Sequence, residues 1–171
     1  MTAPLRPTTM DKASFVAAFG GVFELSPWVA EATYDLGLRD DVDTAEGLHR
    51  AMCAAVRAAA RERKLALIRA HPDLAGRLAR AGRLTADSAK EQASAGLDRL
   101  TDAERERFLA LNEAYKARFG FPFIMAVKGR TKEEILAAFE ERLRHDEATE
   151  FETALAEIER IALLRLREML P

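Results

Sequence analysis

His71-Pro72-Asp73-Leu74-Ala75-Gly76 is the stretch on which the fold turns, because it interrupts a chain that otherwise reads almost wholly as helix. A proline ring pushes the residue before it out of the α region, towards extended or polyproline backbone. The helix entering through Leu65 and Ile68 is therefore expected to stop at His71. Pro72 can then take the first position of a new helix, where no backbone donor is needed. An imidazole is left at a helix junction, where a side chain can face a cleft or simply pack.

Helices are legible on both sides of this junction. Upstream, Asp11 is placed to cap a helix to about Phe19, ended by Gly20-Gly21. Ser26-Pro27-Trp28 reads as a serine cap with proline at the first helical position, opening a helix to about Leu36 that Gly37 stops. Asp43 or Thr44 then caps a long Ala-rich helix bearing Leu48, Met52, Ala55 and Val56, with a bend or break expected near Ala58 to Arg63. Downstream, Leu74 and Leu78 supply an apolar helix face until Gly82. Thr85 opens the next helix, which Gly96 ends or weakens. Thr101-Asp102-Ala103-Glu104 and Thr131-Lys132-Glu133-Glu134 are capping boxes, in which a threonine caps the helix while the glutamate three residues on reaches back. Between those two helices Phe119 to Val127 is apolar, short and broken by Pro122, which argues against a strand. A last helix runs from about Glu147 to Met169. With no repeat or linker, the expectation is all-α: one compact multi-helix domain over residues 1–171, residues 1–10 forming a loose leader.

The 171 residues suffice for one domain with a real core. Lys plus Arg is 26 and Asp plus Glu is 28, a formal net charge of −2, so nucleic acid is a poor default partner. The single cysteine, Cys53, excludes an internal disulfide and leaves no cysteine cluster for zinc. Its apolar surroundings read as those of a buried, inert thiol. No apolar run approaches the length of a membrane span. Met1 to Asp11 has no signal-peptide core, and Glu168-Met169-Leu170-Pro171 is not a peroxisomal signal. A protein of a reducing cytoplasm is expected.

Four features could carry chemistry, and each has a plain structural alternative. His71 has a side chain suited to proton transfer in both directions near neutrality, yet a pre-proline histidine can equally be a packing residue. His49, within an amphipathic helix, and His145, beside Asp146, both read as solvated. Ser88, Glu91 and Gln92 share one helical face, which could hydrogen-bond a polar ligand or could simply be wet. Arg165 falls in the same row as Leu155, Ile158, Ala162 and Met169 and so points inward. A buried guanidinium must be paired, either with a protein carboxylate (Glu159 lies near the arc) or with an anionic ligand. The Phe119–Val127 segment is a core plug or, through its unused amide and carbonyl groups, a grip on a urea-like edge. No His-Glu-x-x-His or other histidine pair offers a metal site, and no motif supports a serine or cysteine nucleophile.

Taken in order, these pieces resemble a known family. Phe19-Gly20-Gly21-Val22-Phe23-Glu24 with Ser26-Pro27-Trp28, the His71–Gly76 stretch, Ser88-Ala89-Lys90-Glu91-Gln92-Ala93-Ser94-Ala95-Gly96-Leu97, Asn112-Glu113-Ala114-Tyr115, Phe119-Gly120-Phe121-Pro122-Phe123 and Arg165-Leu166 are similar to the 2-oxo-4-hydroxy-4-carboxy-5-ureidoimidazoline (OHCU) decarboxylases of purine catabolism. The resemblance implies an all-α fold peculiar to that family, usually a homodimer, working without metal or organic cofactor on a small ureidoimidazoline. It implies decarboxylation to (S)-allantoin, the last step from urate. By match, His71 corresponds to the catalytic histidine, Glu91 to the essential carboxylate and Arg165 to the arginine of the site. Pro72, Ser88, Ala89, Lys90, Glu91 and Gln92 match substrate contacts, as does the backbone of Phe123, Ile124, Met125, Ala126 and Val127. The absent peroxisomal signal and the Ala/Arg-rich composition point to a bacterial cytoplasm. Two contrasting readings stay open: a non-catalytic helical interaction module, in which His71 and Arg165 are structural, and a metal-dependent ureide hydrolase.

Overall fold

The computed structural model describes residues 3–171 and is all-α, with nine α-helices and no strand among those residues. They fall into two units, one formed by the chain up to Ala70 together with Ile158–Pro171, the other by His71–Glu157.

The first unit holds α1 (Lys12–Phe19), α2 (Trp28–Asp35), α3 (Ala45–Ala58) and α4 (Arg61–Arg69). Local capping chemistry sets their starts. Asp11 accepts a hydrogen bond from the Ser14 N–H at 2.8 Å, opening α1. At α3 the cap is Thr44, whose hydroxyl accepts from the Gly47 N–H at 3.1 Å. Gly47 is required there, since a Cβ would sit 1.8 Å from the Asp41 carbonyl oxygen. The expected break falls at Ala59 and Ala60, both with ψ near 155° (156° and 154°). Phe15, Phe19, Val29, Leu48, Met52, Val56, Leu67 and Ile68 are fully buried and form the core of this unit.

Two expectations in this unit fail for identifiable reasons. Ser26 does not cap α2; its hydroxyl donates to the Glu24 carbonyl at 2.9 Å, and the helix starts one residue later than expected, at Trp28 with Pro27 as its cap residue. The leader is also tied down over much of its length. Pro7–Thr9 forms a 3-10 turn with Pro7 buried, and the Thr8 N–H and hydroxyl both donate to Asp43, at 2.9 and 2.7 Å. Met1 and Thr2 lie outside the described residues.

The second unit holds α5 (Arg77–Arg80), α6 (Ala86–Ser94), α7 (Asp102–Phe119) and α8 (Lys132–Arg142), and the first half of α9 (Glu147–Arg167). Both capping boxes form as the threonine–glutamate spacing requires. Gly120, at φ +78°, ends α7 in the left-handed conformation that glycine adopts without strain. The chain then runs through Phe121–Val127 without regular structure, buried throughout. Phe123 stacks on Phe139 with ring centroids 3.7 Å apart, and Tyr115 meets Phe123 edge-on at 5.4 Å. The core-plug reading of this segment is therefore correct for its side chains.

The largest departure lies just past His71. No helix begins at Pro72, and residues 71–76 form a loop. Helix α5 is a single turn starting at Arg77, and Leu78 is 47% exposed rather than part of an apolar face. Ala75 stands at φ +53°, a conformation no right-handed helix accommodates. The loop's backbone groups are taken up by side chains from α6 and α7 instead of by a helical ladder.

Candidate active site

Helix α4 gives way at Ala70, and the chain turns at His71 with its backbone restricted by Pro72. His71 is 8% exposed and Pro72 half-buried. What fixes the loop is a set of polar side chains. Gln92 accepts from the Ala75 N–H at 2.9 Å and donates to the Asp73 carbonyl at 3.2 Å. Asn112 donates to the Leu74 carbonyl at 2.8 Å, and the Lys116 ammonium lies 2.8 Å from the Asp73 carboxylate.

Helix α6 places the second group of candidates. Thr85 caps it, accepting from the Ser88 N–H at 3.3 Å. Ser88 and Gln92 are buried, Glu91 is half-buried, and Ala89 and Lys90 are exposed. This face is packed rather than wet, which removes the solvated alternative for Ser88 and Gln92. The Gln92 amide has a definite employment that spacing could not reveal: it shapes the His71 loop.

The Phe123–Val127 backbone is held at two points. The Ile124 carbonyl accepts from Arg142 Nη1 at 2.6 Å, and the Val127 carbonyl accepts from the Arg130 N–H at 2.9 Å. Among the described residues, no hydrogen bond engages the main chain of Met125 or Ala126, although both residues are buried.

Arg142 belongs to a network that the sequence reading missed. Glu150, fully buried, accepts from Arg142 Nε at 2.8 Å and from the Tyr115 hydroxyl at 2.5 Å. His145 Nδ1 lies 2.9 Å from the other oxygen of the same carboxylate. His145 is thus engaged by Glu150 while its side chain stays 35% exposed, so the solvated reading missed its partner rather than its exposure. Burial and the Glu150 carboxylate together push the Tyr115 phenol well above its ordinary range. One clue was available: a tyrosine in the middle of an apolar helix face needs a partner for its hydroxyl.

In the first unit, Arg165 is 6% exposed and Glu24 2%. The guanidinium reaches the Glu24 carboxylate at 3.4 Å and the carbonyls of Gly21 and Val22 at 3.4 and 3.3 Å. Its protein carboxylate is therefore Glu24, not Glu159. Glu159 instead pairs with Arg57 at 2.6 Å, while its carbonyl oxygen lies 2.7 Å from His49 Nε2, so His49 is not solvated either. Cys53 is half-buried rather than buried, with its Sγ 3.3 Å from His49 Nε2, and desolvation, ahead of the nearby Glu159 charge, pushes its thiol well above its ordinary range.

The arrangement offers an imidazole on a braced loop and a carboxylate on α6 in one unit, and a buried guanidinium in the other. Among the described residues, no group of three or more His, Cys, Asp or Glu side chains could hold a metal ion. No helix among them is long and apolar enough to cross a membrane.

Comparison with known proteins supplies the remaining evidence. Residues 8–167 match the family model described as OHCU decarboxylase. The 2-oxo-4-hydroxy-4-carboxy-5-ureidoimidazoline decarboxylase of Haloferax volcanii is 50% identical over 159 residues, covering 93% of this chain and 90% of that protein. The protein of the same name from Halalkalicoccus jeotgali is 46% identical over 159 residues, covering 93% of this chain and 86% of its own. The crystal structure of (S)-allantoin synthase superposes with a TM-score of 0.76 at 36% identity, covering 96% of this chain; the match spans 52% of that longer chain.

Proposed function

Because this chain belongs to the OHCU decarboxylase family, we propose that it converts 2-oxo-4-hydroxy-4-carboxy-5-ureidoimidazoline to (S)-allantoin and carbon dioxide, the last step of urate degradation to allantoin. The observation that carries this reading is the family match from residue 8 to residue 167, which runs through both units and includes the His71 loop. It also supports treating the whole chain as one functional domain.

The substrate's own chemistry defines what the protein must supply. Carbon 4 bears the carboxylate and a hydroxyl, and its neighbour bears the ureido group and is double-bonded to a ring nitrogen. When the carbon–carboxylate bond breaks, its electron pair forms a double bond to the ureido-bearing carbon, the C=N pair moves onto the ring nitrogen, which takes up a proton, carbon dioxide leaves, and the hydroxyl-bearing carbon becomes part of an enol. The enol collapses to the ring carbonyl as the ureido-bearing carbon takes up a proton. No external electron sink is needed, so the reading is cofactor-independent. The protein provides orientation, a proton donor on one face and exclusion of water.

His71 is that donor. Delivering the proton to one face of a planar intermediate makes one enantiomer, and Pro72 keeps the imidazole out of a helical ladder and set in one direction. Glu91 accepts N–H bonds from the ring or ureido group, or holds His71 in its working tautomer. Arg165 binds an anionic or carbonyl oxygen, its planar fork suiting both. Gripping the departing carboxylate too tightly would stabilise the ground state, so its benefit is positional. Ser88, Ala89, Lys90, Gln92 and Pro72 line the substrate's polar edge, and the Phe123–Val127 backbone meets the urea-like groups. Unused main-chain groups at Met125 and Ala126 support that last role. The working form is a cytoplasmic homodimer, a reading that rests on family resemblance and is tested by sedimentation.

The activity test starts from substrate generated in situ by urate oxidation and hydrolysis of the 5-hydroxyisourate ring. Purified protein is expected to accelerate substrate decay, and EDTA to leave the rate unchanged. Decay no faster than without protein would overturn the assignment, and a rate lost to chelator would point to a metal-dependent hydrolase.

A further inference from the structure

The loop after His71 is braced more heavily than its length requires. Three consecutive residues, Asp73, Leu74 and Ala75, have their backbone or side chain held by Gln92, Asn112 and Lys116 from two different helices. The brace holds backbone of a kind that does not hold itself. Ala75 sits at φ +53°, and at Gly76 a Cβ would come within 2.5 Å of the Asp73 Cβ. Strained backbone of this kind persists only where the surroundings over-determine it.

Asn112 is the informative member. It is 1% exposed, its Nδ2 donates to Leu74, and its Oδ1 has no hydrogen-bond partner among the described residues. An apolar side chain would remove the stranded amide oxygen, but it would leave the buried Leu74 carbonyl without its donor. What the amide supplies, and an apolar group would not, is the position of Leu74. From His71 to Leu74 is three residues, one of them a proline with fixed φ, so fixing Leu74 limits where the imidazole can point.

We infer that Asn112 and Lys116 are positioning residues for His71, acting through the Leu74 carbonyl and the Asp73 carboxylate. The inference rests on the reading of His71 as proton donor. A misplaced donor slows proton delivery without weakening substrate binding. A displacement of about 1 Å can cost on the order of a hundredfold in rate.

The test compares Asn112→Ala, Asn112→Asp, Lys116→Met and Lys116→Arg with His71→Ala and with Ile135→Val, a buried change in α8. Steady-state kinetics are run at a temperature where circular dichroism shows every variant folded. Lys116 is half-exposed, so its variants keep the test informative should Asn112 variants fail to fold. The expected result is kcat lowered about tenfold or more with KM little changed for Asn112→Ala, Asn112→Asp and Lys116→Met, recovery in Lys116→Arg, and normal kcat in Ile135→Val. Wild-type kcat in folded Asn112→Ala or Lys116→Met, with His71→Ala inactive, overturns the positioning role alone. An active His71→Ala overturns the donor reading and this inference with it.

Discussion

Arg142 donates to the Ile124 carbonyl at 2.6 Å and to the Glu150 carboxylate at 2.8 Å, so one guanidinium joins the end of α8 to both α9 and the Phe121–Val127 segment. Glu150 and Arg142 are both buried, and a buried ion pair is fragile in one direction only. Removing one partner strands a charge, whereas removing both does not. Glu150→Ala is expected to lower unfolding free energy by about 3–5 kcal/mol. The double variant Glu150→Leu with Arg142→Met should lose less than the single one. Urea unfolding midpoints measure both, and an equal or greater loss in the double variant would contradict this view of the network.

Arg165 and Glu24 make the corresponding pair in the first unit, with the guanidinium also on two carbonyls. A lysine keeps the charge but not the planar fork. Arg165→Lys is expected to stay folded and to lose about tenfold or more in kcat/KM. Near-normal kcat/KM in Arg165→Lys would show that charge alone suffices there.

Acid should release the N-terminal segment before it unfolds the core. The Thr8 N–H on Asp43, helped by the Thr8 hydroxyl and Arg6, holds that carboxyl below its ordinary value. A carboxylate with a depressed folded-state pKa contributes stability that is fully present above its unfolded value and is lost as pH falls through the folded one. Exchange of the Thr8 amide hydrogen, corrected for intrinsic rate, should therefore rise as pH falls below roughly 4. In Asp43→Ala, which removes the acceptor, the exchange should be fast already at neutral pH. Unchanged protection in that variant would mean that the turn is held by something else.

Cys53 offers a simple check on burial. Its thiol is pushed well above the ordinary range, so it stays neutral at pH 8. Iodoacetamide should label the half-buried native thiol slowly at that pH and label it faster in urea. Labelling of native protein as fast as in urea would place Cys53 at an accessible surface.

Most of the helical plan was legible because it is written in local chemistry. Asp11, Thr85, Thr101 and Thr131 cap the helices their positions imply, and Thr44 is the one of the two candidates, Asp43 and Thr44, that caps α3, since a cap needs only its own hydroxyl or carboxylate and an amide three residues on. Errors arose where a residue distant in sequence intervened. Pro72 had every local licence to start a helix, but Gln92 and Asn112 take the backbone groups that a helix would have used. The partner of His145 escapes a local reading for another reason: Glu150, five positions on, lies inside the following helix. Periodicity places Arg165 inward and so requires a partner for it, but it can point only to a neighbour on the same helix such as Glu159, not to Glu24, 141 residues away. The roles proposed for His71, Glu91 and Arg165 rest on resemblance, because a pattern of spacing does not distinguish a proton donor from a packed imidazole.

Whether the His71 imidazole delivers the proton is read from the chirality of the allantoin formed with and without it. The substrate decays unaided to racemic allantoin, so any optical activity in the product reports a proton delivered by the protein. Circular dichroism of the reaction is expected to show (S)-allantoin with the native chain. With folded His71→Ala it is expected to show racemic product at the uncatalysed rate. An undiminished dichroic signal formed at the native rate by His71→Ala would contradict the account, because the proton would then come from another group.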